Sequence, residues 1–381
     1  MPPADKHDHR PRRTRSVYTP KRHTLRNALI AVGVLVLVVV GLSAAYLSAL
    51  SNNFNEKRST IASAIPTDPE EEGQRPVKDP GDNSLNFLIL GSDTRGEGMD
   101  QANIKGEDGQ RSDTMMVMHV PESRDSLYVM SVMRDLWVEI PDHGTQKING
   151  ALNAGGIPLV VRTVENTLGS RIDHVVVIDF EGFKSLTEAL GGVDVKNEHS
   201  FSAGQRNPSY FPKGEIRLEG TDALRFVRER KAFVDGDYQR VKNQQAFLIG
   251  TMSQFLNRET LTNPNRIYKV VNEFSPYLSV DEGLDAAAVA GLGMQMSGLR
   301  TNNIEMFTVP NLGPSTGPGG ASIVLPDYDR LESMSKAFSE DTLKEWLEDY
   351  RADESAFGHE PGEEPTESPA QPAPTGGGEQ N

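Results

Sequence analysis

One stretch of the chain is uniformly apolar: Ala28 to Leu50 holds 23 residues without a charge. About 20 such residues suffice to cross a bilayer as a helix, and the run exceeds the ~7 to 15 residues of a signal-peptide core. A transmembrane helix over 28–50 is the expectation. The next segment, 51–83, mixes proline, glycine and acidic residues with no apolar period, as in IPTDPEEEGQRPVKDPGDN. It reads as a stalk.

From Leu85 the texture changes to short apolar, β-rich runs: LNFLILG, TMMVMHVP, SLYVMSVM, HVVVIDF and IEMFTVP, each of strand length. Between them lie helical stripes, Val160, Val161, Val164 and Leu168 in one segment and Phe180, Phe183, Leu186 and Leu190 in another. Both segments end at glycine, the residue favoured just past a helix. Continuous apolar strands mixed with amphipathic helices predict a sheet covered on both faces. The fold expected is α/β with a mixed sheet, a three-layer α/β/α arrangement in one domain over 84–350. Residues 351–381, rich in Pro, Gly and Glu, read as a disordered tail.

Charge gives the chain a direction. Residues 1–27 carry eight Lys/Arg against two Asp, far more than Lys57 and Arg58 beyond the apolar run. The basic tail is therefore expected in the cytoplasm and the domain outside. The net charge of −15 and a pI near 5.1 argue against nucleic acid as a partner, because phosphate neutralisation needs a broad basic surface. The absence of cysteine excludes disulfides, thiolate nucleophiles and Cys-ligated zinc.

Against this acidic background, Arg225 to Gln245 (RFVRERKAFVDGDYQRVKNQQ) concentrates six cations. Guanidinium forks match phosphate oxygens bidentately, so convergent arginines suit a polyanionic ligand; a solvated basic helix face is the plainer alternative. Thr221 is placed as the N-cap of a short helix, with Arg228 and Arg230 sharing one face of the extended stretch after it. Asp237, Arg240 and Gln244, spaced three and four apart, fall on one helical face, with Asp237 orienting Arg240. Arg225, Lys231 and Lys242 are assigned to solvent.

Upstream, Gly91-Ser92-Asp93-Thr94-Arg95 follows one strand and Arg111-Ser112-Asp113-Thr114 precedes the next. If those strands are neighbours, Asp93 and Asp113 meet at one sheet end, and Mg²⁺ is typically held by one or two carboxylates plus ligand phosphates. Arg134 follows a third strand, and Lys147 and Asn149 come after a turn that reaches toward the same edge. Other chemistries lack their motifs. There is no phosphate-binding G-x-x-x-x-G-K-[ST] loop, no G-x-S-x-G elbow and no H-E-x-x-H, and the S-x-x-K at Ser333–Lys336 has no accompanying elements.

The N-terminal anchor, LILGSDTR, RSDTMM, SVMRDLW, QKINGAL, GGVDV and ALRFVRERKAFVDGDYQRVKNQQ together resemble the LytR-CpsA-Psr family, over about Asn86 to Leu256. The resemblance implies a membrane-anchored phosphotransferase that moves a glycopolymer from a polyprenyl-pyrophosphate carrier to peptidoglycan and releases polyprenyl phosphate. It implies that Asp93 and Asp113 hold Mg²⁺, one of them taking the acceptor proton. Arg95, Arg111, Arg134, Arg228, Arg230, Arg240 and Gln244 would bind the pyrophosphate, and the two apolar stripes would line a prenyl channel. The chain departs from the family pattern at Met133, where proline is common, and at Asn243, where a basic residue is common. A polyprenyl-pyrophosphate hydrolase and a noncatalytic envelope-polymer binding protein use the same residues, and the polymer could be teichoic acid, capsule, arabinogalactan or a protein-linked glycan.

Overall fold

The computed structural model describes residues 23–66, 72–92, 114–204 and 207–356. Asp93, Arg95, Arg111 and Asp113 lie outside the described residues. Contacts divide the chain into two units, Met1–Leu50 and Ser51–Asn381. In the first, helix α1 (His23–Lys57) begins, and Leu37, Leu42 and Leu47 are 72%, 67% and 60% exposed. From Val36 onward this helix is long and apolar enough to cross a membrane.

Among the described residues the second unit holds fifteen strands, β1 (Ser59–Ile61), β2 (Leu85–Ser92), β3 (Thr114–Val120), β4 (Leu127–Ser131), β5 (Trp137–Ile140), β6 (Gly144–Lys147), β7 (His174–Asp179), β8 (Val193–Asn197), β9 (Phe201–Ala203), β10 (Ser209–Phe211), β11 (Gly214–Leu218), β12 (Leu278–Asp281), β13 (Ile304–Thr308), β14 (Asn311–Thr316) and β15 (Ser322–Pro326). The helices after α1 are α2 (Gly150–Leu168), α3 (Phe180–Leu190), α4 (Gly220–Arg228), α5 (Asp237–Leu256), α6 (Arg258–Leu261), α7 (Pro264–Phe274), α8 (Ala286–Gln295), α9 (Tyr328–Ser339) and α10 (Leu343–Ala356).

Seven strands form the central sheet in the order β1-β12-β7-β2-β3-β4-β13. It is mixed: β2 runs parallel to β7 and antiparallel to β3, while β13 runs parallel to β4. All five strands expected from the apolar runs are in it. Alternation along β2 and β3 splits their side chains between two cores. Leu88, Leu90, Met115 and Val117 pack with α2, α9 and α10, whereas Phe87 and Met116 face the side covered by α5, α7 and α8. A third cluster joins β8–β11 to α3 and α4 around Phe226 and Phe201.

Residues 51–83 are not a free stalk over their described part. β1 pairs with β12 at the sheet edge, and Arg75 is buried, donating to Glu165 at 2.6 Å and to the Ile172 carbonyl at 2.7 Å. Lys78 lies 2.9 Å from Asp173. Polar composition suggested solvent, but these charges have partners inside the domain. Helix α10 likewise continues to Ala356, past the expected boundary at 351.

Of the two stripes proposed for a prenyl channel, the first is core: Val160, Val161, Val164 and Leu168 are at most 1% exposed. The second packs with the α3–α4 cluster through Phe183, Leu186 and Leu190. Half-buried apolar side chains concentrate instead between sheet and helices on the α5–α8 side, among them Ile89, Ile178, Leu248, Met252 and Leu292.

Candidate active site

The strand directions bring the chemistry to one sheet edge. Gly91 pairs with Thr114, Ser92 with Asp179, Met116 with Ser131, and Ser131 with Thr308. The C-terminal ends of β2, β4, β7 and β13 therefore lie in one row, the edge at which ligands bind open α/β sheets. The chain leaves the sheet toward Asp93 and returns from Asp113 at neighbouring strand ends. The two backbones are close there: a Cβ at Gly91 would stand 3.0 Å from the Thr114 Cβ.

Beside this edge one carboxylate faces three arginines. Asp237, in the first turn of α5, accepts from Arg134 Nε at 3.1 Å. Its other oxygen lies 3.2 Å from Arg240 Nη1 and 3.7 Å from Arg230 Nη1. Arg134 also stands 3.7 Å from Asp135, which binds Lys147 at 3.0 Å. Four cations thus meet two carboxylates. Burial opposes ionisation of Asp237, but Arg240, Arg134 and Arg230 outweigh it and hold the carboxyl below the ordinary aspartate value. An anion added here meets an excess of fixed positive charge, partly withdrawn from water.

Local structure sets each of these side chains. Arg134 follows β4 in a turn whose backbone is fixed by Leu136 N–H donating to Met133 O and Asn149 N–H donating to Arg134 O. Met133 is buried in the core, so packing and hydrogen bonds hold the turn without proline. The i, i+3 spacing of Asp237 and Arg240 brings the pair together on α5. Arg230 sits in the loop before α5, where Glu229 Oε1 accepts from the N–H groups of residues 230, 231 and 232.

Other expected ligands are placed differently. Arg228 ends α4 and stacks on the Phe180 ring, 4.2 Å from its centroid, instead of sharing an extended face with Arg230. The α4 N-cap is Glu219, not Thr221. Gln244 donates to Thr114 Oγ1 at 3.0 Å and to the Val227 carbonyl at 3.2 Å. Both amide hydrogens are thereby engaged in tying α5 to β3 and α4. Asn243 is buried and accepts from Gln239, a position with little room for a charge. Arg225 is not left to solvent: it donates to Ser209 Oγ at 2.6 Å and pairs with Asp222. Lys231 is exposed, and Lys242 is half-buried.

Phe180, expected only in the apolar stripe of a prenyl channel, supports a cation instead, and Asp135 joins the cluster through Arg134 and Lys147. The acid beside Arg134 and the aromatic after a strand end are visible in the sequence, but only the fold shows which cations they meet. Asp179, preceding Phe180, caps α3 by accepting from Gly182 N–H at 2.6 Å. Burial pushes its carboxyl above the ordinary value.

The LytR_cpsA_psr family model matches residues 48–340. The cell wall biosynthesis protein LcpA of Corynebacterium glutamicum is 27% identical over 300 residues, covering 69% of this chain and 57% of that protein. The polyisoprenyl-teichoic acid–peptidoglycan teichoic acid transferase TagU of Bacillus anthracis is 34% identical over 190 residues, 50% of this chain and 58% of that protein. The chain thus spans just over half the length of these two relatives. The crystal structure of B. subtilis TagV superposes with a TM-score of 0.56 at 27% identity, over 68% of this chain and 97% of that one. The family match runs through the whole central sheet, the arginine cluster around Asp237 and helix α9, and this chain belongs to the LytR-CpsA-Psr family.

Proposed function

We propose that the protein is a membrane-anchored phosphotransferase that moves a glycopolymer from a polyprenyl-pyrophosphate carrier onto a peptidoglycan hydroxyl and releases polyprenyl phosphate. The observation that carries this reading is the convergence of Arg134, Arg230 and Arg240 on Asp237 beside the strand ends. The TagU relative, a polyisoprenyl-teichoic acid–peptidoglycan teichoic acid transferase by name, agrees with it.

In the proposed reaction the acceptor oxygen attacks the phosphorus that carries the glycan. The bond from that phosphorus to the bridging oxygen breaks, and polyprenyl phosphate leaves with the electron pair. Arg134, Arg230 and Arg240 offset the charge gathering on the leaving phosphate, the main task in phosphoryl transfer. Arg228, held against Phe180, serves the same anion, and Arg95 and Arg111 are assigned to it from the sequence. Asp93 or Asp113 takes the acceptor proton. Those two carboxylates are the proposed holders of Mg²⁺, which would supply further neutralising charge; no group of three or more His, Asp or Glu suited to a metal occurs among the described residues. The prenyl tail is assigned to the half-buried apolar layer between the sheet and α5–α8. The apolar run of α1 spans the membrane, with the basic tail in the cytoplasm and the domain outside.

The test gives the full-length protein a polyprenyl-pyrophosphate-linked glycan and peptidoglycan, with Mg²⁺ or a chelator, and follows both products. Glycosylated peptidoglycan and polyprenyl phosphate in equal amounts are expected with Mg²⁺ alone. Polyprenyl phosphate without glycosylated acceptor assigns the site to hydrolysis. Binding without either product makes the protein a noncatalytic polymer binder.

A further inference from the structure

After Leu50 the longest stretch without a charged residue runs from Met306 to Pro326, MFTVPNLGPSTGPGGASIVLP. It holds the end of β13 and the whole β14–β15 hairpin, in a chain of which 24% is charged. The hairpin presents this stretch to water: Leu312 is 67% exposed, and Pro314, Thr316 and Ser322 are exposed with it. A register shift between Asn311 and Pro314, and the N–H that Pro314 lacks, blunt β14 as an edge for a further strand. What the hairpin offers a partner is hydroxyls and an apolar side chain, without charge.

Both strands of the hairpin are tied to the segments that carry the arginine cluster. Tyr238, next to Asp237 on α5, donates from its hydroxyl to Asn311 Oδ1 at 2.7 Å. The Val324 N–H donates to the carbonyl of Asp135, the neighbour of Arg134, at 2.9 Å, and Val324 also bridges to Leu136. Leu136, Val309 and Val324 belong to the core on the α2, α9 and α10 side of the sheet. The half-buried layer assigned to the prenyl tail lies on the other side. In phosphoryl transfer the attacking and leaving oxygens stand roughly in line across the phosphorus. With polyprenyl phosphate leaving on the α5–α8 side, the acceptor oxygen arrives from the side of the hairpin.

We infer that the β14–β15 hairpin is a ledge for the acceptor, on which a peptidoglycan glycan strand lies with Leu312 against a sugar ring and Thr316 bonded to a sugar hydroxyl. The inference rests on the phosphotransferase reading and on the side given there to the prenyl tail. The occupant follows from charge. A ledge without a cation offers nothing to a phosphate-rich donor polymer or to stem-peptide carboxylates, whereas a neutral backbone of N-acetylated sugars needs only polar and apolar contacts. At the strand rise, Asn311 to Thr316 spans about 17 Å, a length that holds a stretch of glycan and not a single hydroxyl. Holding the acceptor beside the cluster favours its oxygen over water as the attacking group.

The test uses the full-length protein in detergent with a polyprenyl-pyrophosphate-linked glycan as donor. The acceptor is uncross-linked peptidoglycan strands, either intact or stripped of stem peptides by an amidase. Leu312→Ala and Thr316→Val are compared with wild type; the second is nearly isosteric and decides the matter should the first melt lower. Each variant should raise KM for both acceptors several-fold, leave KM for the donor as in wild type, and lose more donor to hydrolysis per acceptor glycosylated. Unchanged acceptor KM in both variants, with transfer intact, overturns the ledge alone. A raised donor KM instead gives the hairpin to the donor glycan, and an effect confined to intact strands gives it to the stem peptide; either result overturns the inference. Self-association of wild type that both variants lose gives the face to a second copy and overturns it as well. If wild type glycosylates neither acceptor, the phosphotransferase reading falls and the ledge falls with it.

Discussion

Replacing Asp237 with asparagine removes one negative charge from the centre of the arginine cluster at almost constant volume. The wild-type carboxylate lies 3.1 to 3.7 Å from three guanidiniums with its side chain 16% exposed. Breaking a fully buried pair costs about 3 to 5 kcal/mol and losing an exposed one about 0 to 1. A mostly buried amide that keeps one acceptor falls between them, at about 2 kcal/mol. For a domain of this size that is a fall of about 3 to 4 °C in Tm. Inorganic pyrophosphate acts in the other direction, because it restores negative charge that the variant lacks. Ligand at a hundredfold excess over Kd stabilises by about 2.7 kcal/mol, enough to close the gap if pyrophosphate binds the variant more tightly. The assay is thermal melting of the full-length protein in detergent with pyrophosphate or with chloride at matched ionic strength. Asp237→Asn should melt lower without the anion and gain more from it than wild type. The carboxyl is held below the ordinary aspartate value, so its contribution is present above that value and lost as pH falls through the depressed one. The two proteins should therefore converge in acid. Equal shifts with pyrophosphate, or none, would refute the reasoning and leave the cluster a structural ion network.

His119 is 1% exposed, and burial pushes its pKa down to about 4 from 6.5; the unfolded chain binds the proton first, so stability is full above pH 6.5 and about 3 kcal/mol of it disappears toward pH 4. Urea titrations across that range should show a flatter profile for His119→Gln. Gly250 of α5 packs on β8, where an added Cβ would stand 2.3 Å from the Asp194 carbonyl oxygen, so Gly250→Ala should cost about 1 to 3 kcal/mol in the same titration. Phe180→Leu removes the surface on which Arg228 rests, 4.2 Å away; the cation–π contact is worth about 0.5 to 1 kcal/mol, and kcat/KM for glycopolymer transfer should fall a few-fold while the melting temperature changes little.

Strands with nonpolar side chains on both faces were legible because burial on both sides leaves an uninterrupted apolar run, as in LNFLIL and SLYVMS. β12 and β1 escaped for the converse reason. Ser279 and Asp281 are buried and polar, and Asp281 accepts from the N–H groups of Val175 and Gly283 while facing His174, a use no periodicity announces. The α5 spacing of Asp237 and Arg240 could be read because i, i+3 contacts are local. The meeting of Arg134 with Asp237 bridges 103 positions, and the seat of Arg228 on Phe180 depends on how α3 packs against α4. Gln244 shows the limit of helical spacing, since its amide reaches across to Thr114 and to the Val227 carbonyl, contacts that its position on α5 alone does not announce.

Calorimetric titration of a short-chain polyprenyl pyrophosphate into wild type, Arg134→Ala and Arg351→Ala bears most directly on the claim that the Asp237 cluster is the pyrophosphate site. Arg351 pairs with Glu305 at the surface and serves as the control. A lost charge-assisted hydrogen bond is worth about 1.5 to 3 kcal/mol, or roughly 10- to 150-fold in Kd. Arg134→Ala should weaken binding by that factor, with Arg351→Ala matching wild type. Equal Kd values for all three proteins would contradict the account.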